Sequence, residues 1–139
     1  MLRHKRKKGP VRAKKTLVDG ISFASGLEAY MYQVLKEANI TAHYEGKTFE
    51  LISSFAFTND TYERCANKNI LGIKYTPDFI GSDFIIECKG RPNESFPLRW
   101  KLFKRYIKYN EPTVTIYKPQ NKAECNETIK LILSKRKLV

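Results

Sequence analysis

Long apolar runs are missing from this chain. No stretch approaches the roughly 18–20 uncharged residues that a bilayer-spanning helix requires, so no membrane span is expected. The N-terminus is basic, but no apolar segment follows the basic residues, so a secretory leader is not expected either. Histidine is scarce: His4 and His43 are the only two in 139 residues. They are too far apart for an imidazole-based metal centre, and each reads as a surface or loop residue. Cysteine is scarce as well. Cys65, Cys88 and Cys125 are odd in number, widely spaced and without a C-x-x-C pair. This argues against both a disulfide framework and a zinc site, and it points to a reducing, cytoplasmic setting. Acid is the remaining shortage, with 14 Asp and Glu against 26 Lys and Arg and a formal net charge of +12. No acid precedes Asp19, and none occurs from Phe96 to Asn110.

What is present suits one domain with a real core. The length is ordinary for a single domain, and 42% hydrophobic residues with eight Tyr and eight Phe supply apolar surface to bury. Residues 1–15 read as a basic flexible arm and 16–139 as the folded domain. The arm carries Arg3, Lys5, Arg6, Lys7, Lys8, Arg12, Lys14 and Lys15 and is too poor in apolar groups to fold alone. It is a phosphate-contacting arm, an exposed solubilising tail or a localisation-type run. Such a charge excess repels itself and attracts polyanions, nucleic acid above all.

Periodicity supplies the elements. Leu27, Met31, Val34, Leu35 and Ala38 recur at helical spacing, which predicts a helix within 22–39. Ser25-Gly26-Leu27-Glu28 fits a capping box, with Ser25 as N-cap and Glu28 three residues on. Strands are expected over 42–44 and 48–57, the latter with Phe49, Leu51, Phe55 and Phe57 on one parity, and residues 59–69 read as a polar loop. Two apolar runs, 73–80 and 84–88, are split by Gly81-Ser82-Asp83 and read as a hairpin. A helix over 96–109 is expected to bury Leu98, Leu102, Phe103 and Tyr106, with Ile107 as a further candidate. Its opposite face carries Lys101, Lys104, Arg105 and Lys108, with Arg99 on the same helix. A strand over 113–118 and a helix over 125–135, with Ile129, Ile132 and Leu133 inward, complete the chain. A crossover through the 96–109 helix would make its flanking strands parallel, giving an α/β fold with a mixed β-sheet flanked by helices.

The most informative stretch is Pro77-Asp78-Phe79 followed by Glu87-Cys88-Lys89-Gly90. Side chains alternate along a strand, so Glu87 and Lys89 share a face, and the hairpin brings Asp78 beside them. One reading is ordinary: Asp after Pro is common in turns, and Glu-x-Lys on a strand is often a solvated charge pair. The other is chemical. Two carboxylates and an ammonium at a sheet edge can hold a divalent cation and position a water, the equipment for cutting a phosphodiester. Glu28 in the first helical turn can act as cap or as third carboxylate, and sequence leaves both roles open. Phe96, Trp100 and Tyr106 in the basic helix are either core residues or platforms for unpaired bases.

Four pieces in this order resemble the PD-(D/E)xK nuclease superfamily: Ser25-Gly26-Leu27-Glu28, Tyr75-Thr76-Pro77-Asp78-Phe79, Glu87-Cys88-Lys89-Gly90 and the basic helix with its following strand. Within that superfamily the chain looks most like the phage endonuclease I family of Holliday-junction resolvases. Lys15-Thr16-Leu17-Val18-Asp19-Gly20-Ile21 with Phe23, and Lys101-Leu102-Phe103-Lys104, resemble a related phage branch. The resemblance covers about residues 15–118. It implies a restriction-endonuclease-like core and a metal-dependent endonuclease that hydrolyses phosphodiesters in branched DNA. It implies Mg²⁺ or Mn²⁺, two ions per site, on Glu28, Asp78, Glu87 and the Cys88 carbonyl, with Lys89 positioning water or stabilising charge. The symmetry of a junction implies a homodimer. The stretch between Glu28 and Asp78 is longer than in the endonuclease I proteins, where its equivalent carries a strand-exchanged dimer bridge. The competing functions are a non-catalytic basic DNA-binding protein, a nuclease acting on plain or nicked duplex, and a packaging-type protein that coats nucleic acid.

Overall fold

A computed structural model describes residues 14–59, 69–91 and 93–138. Arg3, Lys5, Arg6, Lys7, Lys8 and Arg12 of the basic arm, together with His4 and Cys65, lie outside the described residues. Strands β1 (Thr16–Val18) and β2 (Ile21–Phe23) form an antiparallel hairpin. Its turn is Asp19-Gly20, both with positive φ (51° and 76°). Asp-Gly between alternating apolar residues is a strong signal for this turn type, and it corrects the expectation of helix from residue 22. Helix α1 (Gly26–Glu37) starts two residues after that hairpin, with Ser25 as N-cap.

The central sheet has four strands in the order β10-β9-β8-β3, where β3 is His43–Tyr44, β8 Phe79–Ile80, β9 Phe84–Ile86 and β10 Thr115–Tyr117. The β8–β9 hairpin pairs Phe79 with Ile86 and Ile80 with Ile85, and β3 adds antiparallel to β8. Strand β10 lies parallel to β9 after the crossover through α2 (Phe96–Asn110). The sheet is therefore mixed, and the molecule is a mixed α/β fold with three helices among the described residues, the last being α3 (Lys122–Lys137).

Alternation along the strands separates two cores. Phe84, Ile86 and Cys88 join Phe79, Met31, Leu35, Cys125 and Ile132 on the α1/α3 face. Ile85 points the other way, into a cluster with Phe49, Tyr75, Phe96, Trp100, Phe103 and Ile107 on the α2 face. Residues 78, 80, 87 and 89 share that second face by parity.

Several expectations need correction. The 48–57 stretch is two strands, β4 (Phe49–Ile52) and β5 (Phe55–Ala56). Strand β4 pairs with β7 (Ile73–Tyr75), whereas β5 pairs with β6 (Asn69–Ile70) in a separate ribbon. Phe49 is buried, but Phe55 and Phe57 are 46% and 41% exposed because no helix covers that ribbon among the described residues. The 73–80 run also breaks, at Thr76-Pro77 between β7 and β8, because proline removes a ladder donor. In α2 the buried stripe is Phe96, Trp100, Phe103 and Ile107, and Leu98 is exposed. Phe103 and Ile107 are buried as expected, whereas Phe96 and Trp100, and not Leu98, complete the stripe. Phe96 and Trp100 thus belong to the core, with centroids 5.7 Å apart. In α3 Leu133 is exposed, and Cys125, Thr128 and Ile132 face inward. No helix is long and apolar enough to cross a membrane among the described residues.

Candidate active site

Asp78 leaves β7 behind Pro77 and enters β8 at the middle of the sheet. Its carbonyl accepts from the Glu45 N–H at 2.8 Å, which ties it to the end of β3. Its carboxylate accepts from the Cys88 N–H at 2.8 Å. In return, the Asp78 N–H donates to the Glu87 carboxylate at 3.2 Å. The two acids therefore lock the hairpin by reciprocal side-chain-to-backbone bonds. Beyond the end of β9 the chain stays extended: the Glu87 and Lys89 N–H groups donate to the carbonyls of Tyr117 and Pro119 at 2.9 and 3.1 Å. This extension holds Glu87 and Lys89 on one face.

Glu28 arrives from the N-terminus of α1. The full capping box forms, with the Glu28 N–H donating to Ser25 Oγ and the Ser25 N–H donating to Glu28 Oε2 at 3.1 Å. The same oxygen accepts from the Tyr44 hydroxyl at 3.1 Å. The Glu28 carboxyl also lies close enough to Asp78 for the two to interact electrostatically. Cap and membership of the acidic cluster thus coexist in one side chain. Glu28, Asp78 and Glu87 are each 7% exposed.

Burying three acids together disfavours their charged forms. Burial first, and then the negative charges of Glu87 and Glu28, push the Asp78 carboxyl up to about 9. Glu87 is also raised, chiefly by burial, with the Tyr75 hydroxyl, the Asp78 N–H and Lys89 pulling the other way. Among the described residues no three His, Cys, Asp or Glu side chains stand at the mutual spacing of a finished ligand set; each acid is turned onto a backbone N–H. The donors are nonetheless of the kind a hard cation takes, carboxylates with a neighbouring peptide carbonyl at Cys88.

Beside the acids lies an open cleft of about 320 Å³. Glu87 and Lys89 line it together with Lys74, Tyr75, Arg99 and Ser95. Lys89 Nζ sits 4.8 Å over the Phe96 ring, which orients its half-buried stem along the cleft wall. Of the basic residues of α2, Arg99 reaches this cleft. Lys101, Lys104, Arg105 and Lys108 are exposed further along the helix, and Arg105 and Lys108 lie over Tyr109. Lys14 and Lys15 are exposed before β1. Cys88 is turned to the opposite face, against Cys125, and both are buried free thiols.

Sequence reading passed over Tyr44, Lys74 and Tyr75. Tyr75 was legible as part of Tyr75-Thr76-Pro77-Asp78-Phe79, since it stands three residues before Asp78. Lys74 and Tyr44 carried no such signal.

No curated protein and no solved structure matches the chain. A family described as "Protein of unknown function (DUF1064)" matches residues 7–124. That span contains the β8–β9 hairpin, Glu28, Asp78, Glu87, Lys89 and the whole of α2, and it is well over half of the 139 residues. The protein is a member of the DUF1064 family.

Proposed function

We propose that the protein is a metal-dependent DNA endonuclease of the PD-(D/E)xK type, with a restriction-endonuclease-like core and a preference for branched DNA. The observation that carries this reading is the convergence of three buried acids, Glu28, Asp78 and Glu87, inside a chain of net charge +12. A general cationic coat has no use for a buried acidic cluster, whereas a phosphodiesterase needs one. Mg²⁺ or Mn²⁺, two ions per site, would be held by Glu28, Asp78, Glu87 and the Cys88 carbonyl. When bound, such ions neutralise charge at the phosphate and make a water more acidic.

The remaining work falls to the chain. Asp78 and Glu87 are each held by a carboxylate bond to a backbone N–H, which fixes them on the hairpin. Lys89, on the same face as Glu87, donates to the water or to a phosphoryl oxygen. The α2 cations and the N-terminal arm hold flanking phosphates, with Arg99 nearest the cleft. A four-way substrate has two-fold symmetry, which favours a homodimer with two active centres. Two buried free thiols, Cys88 and Cys125, suit a reducing cytoplasm.

The test is incubation of supercoiled plasmid and of a four-way junction with the protein and Mg²⁺, with and without EDTA. Nicking or resolution that EDTA abolishes is the expected result. DNA retarded but intact under every metal condition would overturn the enzymatic reading in favour of a binding protein.

A further inference from the structure

The cleft beside Glu87 contains a group that the proposed chemistry has not used. Tyr75 is only 5% exposed, yet among buried side-chain polar atoms its hydroxyl is one without a hydrogen-bond partner. It lies close enough to the Glu87 carboxylate for the two to interact, but not in ordinary hydrogen-bond geometry. Arg99 flanks it with opposite charge. An orphaned buried hydroxyl is destabilising, and it calls for a reason such as a working role or a bound water or ion. The ring itself needs no such explanation: it packs 4.6 Å from Phe103 and 6.2 Å from Trp100.

The surroundings specify what the hydroxyl meets. Lys74, Lys89 and Arg99 line the cleft against one acid, Glu87, so the cleft favours an anion. Ser95, which also lines it, precedes α2 and donates its hydroxyl to Asn93 Oδ1 at 3.2 Å. The N-terminal end of the α2 dipole adds to the positive potential there. A phenol is protonated at neutral pH. Tyr75 therefore acts as a neutral donor and not as a base or nucleophile.

We propose that Tyr75, with Lys74 and Arg99, forms a phosphoryl-oxygen subsite in which the Tyr75 hydroxyl donates to a non-bridging oxygen of a DNA phosphodiester. This assignment deepens the nuclease reading and rests on it, because the phosphate is the one presented to Glu87 and Lys89. Tyr75 is thus a substrate-contacting residue, and Lys74 guards the open side of the same anion.

The experiment uses the full chain and the dinucleotide d(TpT), with its uncharged methylphosphonate analogue as control, titrated in EDTA and followed by amide chemical shifts. The wild type should bind d(TpT) at the cleft and ignore the methylphosphonate. Tyr75→Phe keeps the ring and removes the hydroxyl. It should weaken d(TpT) binding about tenfold and slow Mg²⁺-dependent plasmid nicking about 10²-fold, with a Tm no lower than wild type. Lys74→Gln, a change at an exposed position, should weaken d(TpT) binding in the same direction. A nicking wild type whose Tyr75→Phe variant binds and cuts equally well would overturn the Tyr75 assignment and leave the nuclease reading standing. Tyr75-dependent d(TpT) binding in a protein that never nicks would support the subsite and sink the nuclease. A Tyr75→Phe variant that loses several degrees of Tm would show a structural hydroxyl and overturn the proposal.

Discussion

Glu28 holds a helix start and an acidic cluster with the same carboxylate, and one substitution separates the two duties. Glutamine satisfies a capping box as glutamate does, but it brings no negative charge to Asp78. Glu28→Gln should therefore leave Tm within about 2 °C of wild type while lowering metal-dependent cleavage by about 10²-fold or more. Unchanged cleavage would reduce Glu28 to a cap. Asp78 offers a second test, through pH. Its carboxyl is raised from the ordinary 3.8 to about 9 by burial and by Glu87 and Glu28. The folded state thus keeps a proton that the unfolded state releases. Its stabilising contribution is complete below pH about 4, declines as pH rises, and is gone above about 9. In EDTA, Tm should fall between these limits more steeply for wild type than for Asp78→Asn. At pH 8 the variant should melt on the order of 5 °C higher, although it no longer cuts DNA. Parallel Tm–pH profiles for the two proteins would show that Asp78 does not titrate as a buried acid.

The β8–β9 hairpin is the element that assembles the site, because Asp78 and Glu87 sit at its open end. Its turn tolerates little. A Cβ on Gly81 would stand 2.1 Å from the Phe84 ring, and Phe84 is 1% exposed and cannot swing aside. Gly81→Ala should cost roughly 1–3 kcal/mol in urea unfolding, the usual penalty of overpacking. It should also impair cleavage more than DNA retention, since the carboxylates move with the strands while the α2 cations do not. Unchanged urea unfolding would mean that the turn relaxes without cost. Element boundaries were where sequence reading failed most. The 48–57 and 73–80 stretches each looked like one strand because their apolar parity is continuous. Each breaks in the fold, and the halves pair with different partners: β4 with β7, β5 with β6, and β8 with β9. Parity reports a face and says nothing about the partner across it.

At the scale of the whole molecule, charge and acid are spatially divided. The acids that line the site are buried, while Lys101, Lys104, Arg105 and Lys108 face solvent along α2. DNA affinity should therefore follow counterion release, with log K falling about 0.9 per neutralised phosphate per unit of log salt. Replacing Lys101, Lys104 and Lys108 together by Gln should lower that slope by up to about 2.7 and weaken binding alike on all sequences. A flat salt response between about 50 and 200 mM would remove the electrostatic account of binding.

Sequence alone determined the inventory and the local geometry. The order of acids and lysine, the shared face of Glu87 and Lys89, the capping box at Ser25 and the excess of cations all follow from period, spacing and composition, which act over a few residues. Tertiary structure decided everything that needs distant segments to meet. It brought Glu28 to Asp78 across 50 positions, turned Cys88 away toward Cys125, drew Phe96 and Trp100 into the core, and left the Tyr75 hydroxyl buried beside Glu87. Those contacts depend on which strands neighbour each other and which side chains fill the space between layers, and neither is encoded in a local pattern.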